Sequence, residues 1–266
     1  MPVNDQSFTG TVLVSGAASG IGRSIAESFL AAGASVHICD ASQENLEEFL
    51  AVNSGASGTR ADISDAAQVD RIYADVEKRY GGLNILVNNA GIAGPTATVE
   101  DVAVDEWDQC VAVNLSGTFY MTRRAVPLLK QQDTGSIINI SSSAGIFGCP
   151  LRSPYVASKW AMIGLTKTWA MELGPHNIRV NAICPGCVAG PRVEGVIKRD
   201  ATERGVTEEE IRNLYERQSS LRTFIDADDV AGLALFLASG IGGKISGQVI
   251  GVDGHTETLA NWLDTT

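Results

Sequence analysis

Thr11-Val12-Leu13-Val14, followed directly by Ser15-Gly16-Ala17-Ala18-Ser19-Gly20-Ile21-Gly22, is the stretch on which the fold turns. Its first four residues include three aliphatic ones with no polar alternation, the pattern of a strand buried on both faces. Three glycines come next, and then an amphipathic segment from about Ile21 to Ala32 that reads as a helix. A glycine turn between strand and helix lets the backbone pass close to a ligand, and the helix N-terminus favours a phosphate there. The spacing is GxxxGxG and not GxGxxG, so the inference rests on where the glycines sit more than on their count.

The same alternation continues outward from this unit. Segments at Ser35–Cys39, Gly58–Ala61, Leu83–Val87, Ser136–Ile140, Ile178–Ile183 and Gln248–Val252, most of them apolar, read as further strands. Helical segments lie between them at Asn45–Leu50, Ala66–Tyr80, Val104–Leu129 (one helix or two), Tyr155–Leu173 and Asp226–Ala238. Strict β-α alternation with apolar strands predicts an α/β, Rossmann-type doubly wound parallel sheet of about seven strands. The expected order is 3-2-1-4-5-6-7, with helices on both faces and ligands at the C-terminal strand ends. No linker interrupts the chain, so one domain over residues 1–266 is expected.

Composition narrows the partners. A net charge of −11 lacks the concentrated basic surface that nucleic acid needs, yet leaves room for one dinucleotide held by backbone amides. The first eleven residues show no basic-then-apolar leader, and no apolar run approaches the ~20 residues of a membrane span. A cytoplasmic protein with no membrane partner is the expectation. Of five cysteines, Cys184 and Cys187 have CxxC spacing, but no second pair completes a metal site. Buried free thiols are expected.

Several residues extend the glycine turn into a cofactor site made of Gly16, Ser19, Gly20, Ile21 and Gly22. Asp40 ends the second strand, where a carboxylate can bind both ribose hydroxyls of an adenosine and repel a 2′-phosphate. Ala17, Ala18 and Ala41 offer no compensating cation, and Arg23 lies past the loop, so NAD is expected over NADP. Asp62 and Ile63 close the third strand, where they bracket an adenine or where Asp62 caps the next helix. Asn88-Asn89-Ala90-Gly91 ends strand four, its small residues passing the cofactor while the asparagines tie strands together.

Ser141-Ser142-Ser143 ends strand five, and Tyr155-Val156-Ala157-Ser158-Lys159 opens the following helix. Residues four apart share a helix face, so the Tyr155 phenol and Lys159 ammonium can enter one cleft. A free tyrosine titrates near 10, too high for an efficient base, and a neighbouring cation stabilises its phenolate. Tyr155 can then exchange a proton with an alcohol or ketone oxygen that Ser142 holds by a hydrogen bond.

Taken in order, the glycine loop, Asn88-Asn89-Ala90-Gly91, Asn114, the serine run, Tyr155-x-x-x-Lys159 and Pro185-Gly186 resemble the short-chain dehydrogenase/reductase family from about Thr11 to Gly254. The resemblance implies an oxidoreductase with Asn114, Ser142, Tyr155 and Lys159 as its catalytic set. It makes Asn114 the holder of a water in a proton relay; on its own this residue reads equally as a helix-kink position. It implies that Lys159 and Tyr155 also touch the nicotinamide half, that Pro185, Gly186 and Val188 contact its amide, and that the chain forms a homotetramer. Two departures stand out. Ser15 replaces the usual threonine, and Cys187-Val188-Ala189-Gly190 lacks the usual hydroxyl.

The substrate wall is expected from residues 94–98, 143–155 and a lid over 187–225, in which Thr207-Glu208-Glu209-Glu210 looks like a helix start. Arg152 and Arg192 are candidate clamps for a substrate anion, or else exposed arginines in salt bridges. His255 reads as a surface histidine, and the four tryptophans as core or interface residues, with Trp160 beside Lys159 supporting the cleft. Hydride transfer between NAD and a small polar secondary alcohol (sugar, polyol or hydroxy acid) is the expected reaction. A reductase of 3-oxoacyl thioesters or bulky ketones is the alternative, and a non-catalytic dinucleotide sensor the alternative of another class.

Overall fold

A computed structural model describes residues 8–259; most of the segment bearing on a leader, and Trp262, lie outside the described residues. Seven strands form one sheet, with every pairing parallel: β1 (Thr11–Ser15), β2 (Ser35–Asp40), β3 (Ser57–Arg60), β4 (Ile85–Asn88), β5 (Gly135–Ile140), β6 (Ile178–Pro185) and β7 (Val249–Val252). Their spatial order is β3-β2-β1-β4-β5-β6-β7, as the alternation predicts. The reversal of winding between β1 and β4 places a crevice at the carboxyl ends of these two strands.

Period-two alternation within the apolar strands explains why both faces are covered. Val12 and Val14 of β1 point into a cluster with Ile25 and Phe29 of α1 (Gly20–Ala31), Phe49 of α2 (Gln43–Val52) and Val230 and Leu237 of α9 (Ala227–Ala238). Leu13 points the other way. It meets Val69, Ile72 and Tyr73 of α3 (Ala66–Tyr80), Met121 of α5 (Thr118–Leu129) and Trp169 of α6 (Ser153–Leu173). Each fully buried aliphatic side chain contributes about 1.5–3 kcal/mol, so these two layers carry most of the stability.

Local signals set the helix ends. Asp65 and not Asp62 caps α3, accepting from the Ala67 amide at 2.9 Å, and Gly81 closes it at φ 73°. α6 begins two residues before the expected start because Pro154 supplies a preset φ in its first turn. Between α4 (Val104–Val111) and α5 the chain widens into a single π-helical stretch over Ala112–Gly117.

The largest difference from expectation lies after β6. The connection contains a helix the sequence reading did not foresee, α7 (Pro191–Arg204), besides α8 (Glu208–Glu216), which starts at the expected Thr207 with a reciprocal Thr207/Glu210 cap. Charge density and Gly195 hide the pattern of α7, although Pro191 at its start and Gly205 at its end mark it. The two helices share a small core of Val193, Ile197, Ala201 and Ile211. The segment is pinned at its base by Ala189 N–H to Ile225 O and Ile225 N–H to Cys187 O, both 2.8 Å.

Candidate active site

The carboxyl ends of the strands open into one continuous cavity of about 810 Å³. It runs from Asp40 and Asp62, past Ala90 and Gly91, to Tyr155, Arg152 and Arg192. All the candidate site residues line it except Gly22 and Asn114.

The glycine turn is built by contacts that allow no side chain. A Cβ on Gly16 would lie 2.7 Å from Ala90 Cα, and one on Gly22 would lie 2.4 Å from both Asn89 Nδ2 and Gly16 O. Gly22 therefore does not line the cavity as expected: it is the packing point between loop, helix and β4. Gly20 has open space around it but sits at φ 55°, where any side chain strains the backbone. Ser15 keeps the job of a hydroxyl at this position, its Oγ accepting from the Asn89 and Ala90 amides at 3.1 Å. Asn89 Nδ2 donates back to Ser15 O and Gly16 O at 3.0 and 2.8 Å. Asn88 instead ties strands, donating to Asn139 Oδ1 at 2.9 Å.

α1 starts without a side-chain cap and without an acid in its first turn. Its leading amides thus face the cavity without a side-chain acceptor, which fits a phosphate-bearing ligand. At the far end, Asp40 is fixed by the Ala18 and Ser42 amides at 3.1 and 3.0 Å. Arg23, the cation nearest in sequence, is turned away into an ion pair with Glu27 at 2.8 Å. The sequence reading missed a second cation: Arg60 pairs with Asp40 across β2 and β3 and bonds Ala41 O at 3.4 Å. Only strand register brings it there. Asp62 holds an Asx turn, Oδ1 accepting from the Ser64 amide at 2.9 Å.

At the other end the three serines diverge. Ser141 Oγ donates to Lys159 O at 3.0 Å and Ser143 Oγ to Pro185 O at 3.2 Å, so both anchor the loop. Ser142 Oγ accepts from the Ala144 amide at 3.1 Å and stands close enough to the Tyr155 hydroxyl to lower its pKa. Lys159 is 3% exposed; its Nζ donates to Ile140 O at 2.8 Å and lies 5.7 Å from the Tyr155 ring centre. Burial pushes the Tyr155 phenol up, but Lys159, Arg192, the Ser142 hydroxyl and Arg152 together outweigh it and hold the phenol below its ordinary value. Burial lowers Lys159, partly offset by Tyr155.

Asn114 sits in the π-helical stretch behind Lys159 and not on the cavity wall. Its Oδ1 accepts from the Ile92 amide at 2.8 Å, while Nδ2 donates to Ile92 O at 3.0 Å and Ser158 Oγ at 3.2 Å. The amide clamps the chain after β4 against α6, and Gly91 fits between Asn114 and Lys159. The kink and the site thus belong to one feature.

Arg152, at the N-cap of α6, is 9% exposed and its side chain has no ion pair or hydrogen bond among the described residues, which rules out its reading as an exposed, salt-bridged arginine. Arg192 is exposed, likewise without an ion pair there. His255 stays outside the cavity, bonded through Nδ1 to Ser220 Oγ at 2.7 Å. Cys184 and Cys187 are both free; Cys187 is half-buried on the wall, and burial pushes its thiol up to about 12. Cys149 and Tyr215 line the wall within the ranges 143–155 and 187–225 expected for it, and the packing of α7 on α8 brings Tyr215 in, whereas residues 94–98, also expected there, do not line the cavity. Trp169 is buried, whereas Trp107 and Trp160 are partly exposed; Trp160 Nε1 bonds Phe147 O at 3.3 Å. Among the described residues no three His, Cys, Asp or Glu gather as a metal site, and no helix is long and apolar enough to cross a membrane.

With that geometry, the comparisons are unambiguous at the level of family. Residues 16–255 match the family model described as enoyl-(acyl carrier protein) reductase. The chain belongs to the short-chain dehydrogenase/reductase family. Among curated relatives, D-beta-hydroxybutyrate dehydrogenase of Rhizobium meliloti (strain 1021) is 38% identical over 254 residues, covering 93% of this chain and 98% of the relative. The 3-oxoacyl-[acyl-carrier-protein] reductase FabG of Thermotoga maritima is also 38% identical, over 246 residues, with coverages of 91% and 95%. A solved structure of actinorhodin polyketide ketoreductase with NADPH superposes with a TM-score of 0.89 at 30% identity, covering 92% of this chain and 96% of that one. The protein is therefore an oxidoreductase of the secondary-alcohol/ketone type in a family that binds nicotinamide dinucleotides.

Proposed function

We propose that this chain, acting as one domain over residues 1–266, is an NAD-dependent dehydrogenase/reductase of a small polar secondary alcohol and its ketone, such as a sugar, polyol or hydroxy acid. The observation that carries the proposal is the Ser142–Tyr155–Lys159 arrangement in the wall of a cavity whose other end presents uncapped helix amides. When bound, the dinucleotide supplies the hydride acceptor or donor. Gly16, Ser19, Gly20 and Ile21 would hold its pyrophosphate, Asp40 its adenosine ribose, and Asp62 and Ile63 its adenine. Asn89, Ala90 and Gly91 line its path, and Pro185, Gly186 and Val188 face the amide end.

The chemistry assigned to the protein is proton movement. Ser142 holds the substrate oxygen, and the Tyr155 phenolate takes the hydroxyl proton in oxidation or the phenol returns one in reduction. Lys159 lowers the phenol and so makes its phenolate more accessible, and Asn114 holds Lys159's neighbourhood open to a water relay. The 187–225 segment, built on α7 and α8, serves as a lid over the substrate, with Arg152 and Arg192 facing it. Exposed Trp107, Phe119 and Met171 on α4, α5 and α6 support a homo-oligomer, a tetramer in our reading, working in the cytoplasm.

The hydroxybutyrate-oxidising relative favours a hydroxy acid. The equally similar FabG favours a second reading, reduction of 3-oxoacyl thioesters. The test is a panel of polyols, sugars, hydroxy acids and 3-oxoacyl thioesters with each cofactor, followed by dihydronicotinamide absorbance. Turnover of a small alcohol with NAD⁺ upholds the proposal; turnover confined to thioesters with NADPH replaces it by the second reading. Silence across the panel with NADH still bound favours a sensor.

A further inference from the structure

Arg152 occupies an expensive position. The residue is 9% exposed and lines the cavity, and its side chain has no ion pair or hydrogen bond among the described residues. It caps the N-terminus of the 21-residue α6, where the helix field opposes a cation. Two more cations, Lys159 and Arg192, share the same end of the cavity, in a chain of net charge −11. A cation that lines a half-closed cavity without a side-chain partner is completed by whatever occupies that cavity.

The acid in this neighbourhood is Asp200 of α7, 3% exposed. Its Oδ2 accepts from the Tyr215 hydroxyl at 2.7 Å, and its Oδ1 has no partner. Asp200 makes no ion pair with Arg152, although the fields of both reach the Tyr215 hydroxyl and the Cys149 and Cys187 thiols. The substrate end is thus short of one negative charge at Arg152, while a fixed carboxylate stands behind Tyr215.

We infer that Arg152 is a specificity-determining residue that binds a monoanionic carboxylate of the substrate, making the substrate a short hydroxy acid or its oxo acid. The inference rests on the proposed reaction and deepens it. A carboxylate matches the flat guanidinium fork and can also approach the α6 amides. A phosphate dianion would meet Asp200 and lose part of that gain. Arg152 precedes Tyr155 by three residues and both line the same end of the cavity, so a carboxylate held by Arg152 and the reacting carbon belong to one short molecule, as in 2- and 3-hydroxy acids. Arg192, exposed at the start of α7, adds field and not a fixed contact.

The experiment compares short 2- and 3-hydroxy acids with their methyl esters, the matching diols and the matching phosphorylated alcohols, in wild type and in Arg152→Met, Arg152→Gln and Arg152→Lys. The acids should exceed the neutral analogues in kcat/KM by about 100-fold, mostly through KM, with Met and Gln losing that preference and Lys regaining part of it. In parallel, titration calorimetry of propionate and propionamide onto the enzyme–NADH complex should show propionate binding to wild type only. Equal use of acids and neutral analogues overturns the inference, as does a preference that survives in Met and Gln. Better use of phosphorylated alcohols than acids overturns the choice of a monoanion. If no alcohol is oxidised, the small-alcohol reaction fails, and calorimetry alone decides: propionate binding that vanishes in Arg152→Gln sustains the anion site, and its absence from wild type overturns it.

Discussion

Ser15 and Asn89 beside one end of the cavity, and Arg152 and Asp200 beside the other, are all polar, yet they are held in opposite ways. Ser15 and Asn89 exchange hydrogen bonds with β1, the glycine turn and β4, so the side chains that shape that end are satisfied within the chain, leaving the α1 amides for a ligand. The Arg152 side chain has no ion pair or hydrogen bond among the described residues, and Asp200 has a free Oδ1. The complete end is suited to a ligand shared across a family, recognised mainly through backbone. The incomplete end is suited to a ligand that brings its own polar groups, so it varies with substrate.

The largest effect breaks the comparison at the point where the two ends meet. Tyr155→Phe is expected to lower turnover on the order of a thousandfold. NADH affinity, measured by fluorescence titration, should stay within a few-fold, because the completed half is untouched. Loss of cofactor binding together with activity would show that the two halves are not separable at Tyr155.

A second test sharpens the contrast in packing. Phe29 is fully buried between α1 and β2, in edge contact with Phe8 at 5.2 Å. Phe29→Ala should cost about 3–5 kcal/mol of global stability in chemical denaturation. Ile211→Ala empties the small core of α7 and α8 instead. It should loosen that segment locally, raising KM and amide exchange there while the main unfolding transition stays nearly in place. Equal loss of global stability in both variants would mean that α7 and α8 unfold only with the sheet.

What the sequence made legible follows the same division. The order of strands, the position of Gly16 and Gly20, and the proximity of Ser142, Tyr155 and Lys159 all come from short-range patterns: apolar runs, a glycine turn, an i,i+4 pair. Gly22 was misplaced because spacing shows that a glycine is needed without showing whether a ligand or Asn89 needs it. Arg60 went unseen because strand register, 20 residues away from Asp40, puts it there. The contact between Tyr215 and Asp200 was invisible for a related reason. They meet only when α7 folds back on α8, and the signals of α7 are buried in charge. The burial of Arg152 depends on this same segment.

His37 tests the completed side by pH. It is 2% exposed on β2, with Ser57 Oγ at 2.7 Å from Nδ1 and Thr59 Oγ1 at 3.0 Å from Nε2. Burial holds it near 4 in place of 6.5, with Asp75 opposing and Arg79 adding to the shift. The unfolded chain therefore binds this proton first as pH falls. His37's neutral-state stability is fully present above about pH 6.5 and declines by about 3 kcal/mol as pH falls to about 4. Denaturation curves of His37→Gln should show a flatter pH dependence across that window. An unchanged slope would assign the acid sensitivity to carboxylates.

Cofactor choice is a smaller effect, and it sits at the far tip of the complete end. Asp40→Ala removes the carboxylate held by the Ala18 and Ser42 amides while leaving Arg60 beside the vacated position. The ratio of kcat/KM for NAD⁺ to that for NADP⁺ should fall by about 10–100-fold. Asp40→Ala with Arg60→Ala should recover part of the loss by weakening NADP⁺. An unchanged ratio in the single variant would sink the NAD assignment.

The smallest effect crosses from the open end to the reacting atoms. Arg192 is exposed, so solvent screens it, yet its field is among those that lower the Tyr155 phenol. Alcohol oxidation needs the phenolate, so kcat/KM should rise with pH along a limb set by this lowered phenol, and reduction should fall along the same limb. Arg192→Gln should move the limb upward in both directions of reaction, and added salt should move wild type the same way. A limb that does not move would confine Arg192 to the substrate and leave Lys159, Ser142 and Arg152 to hold the phenol down. The field of the incomplete end would then stop short of the proton that Tyr155 carries.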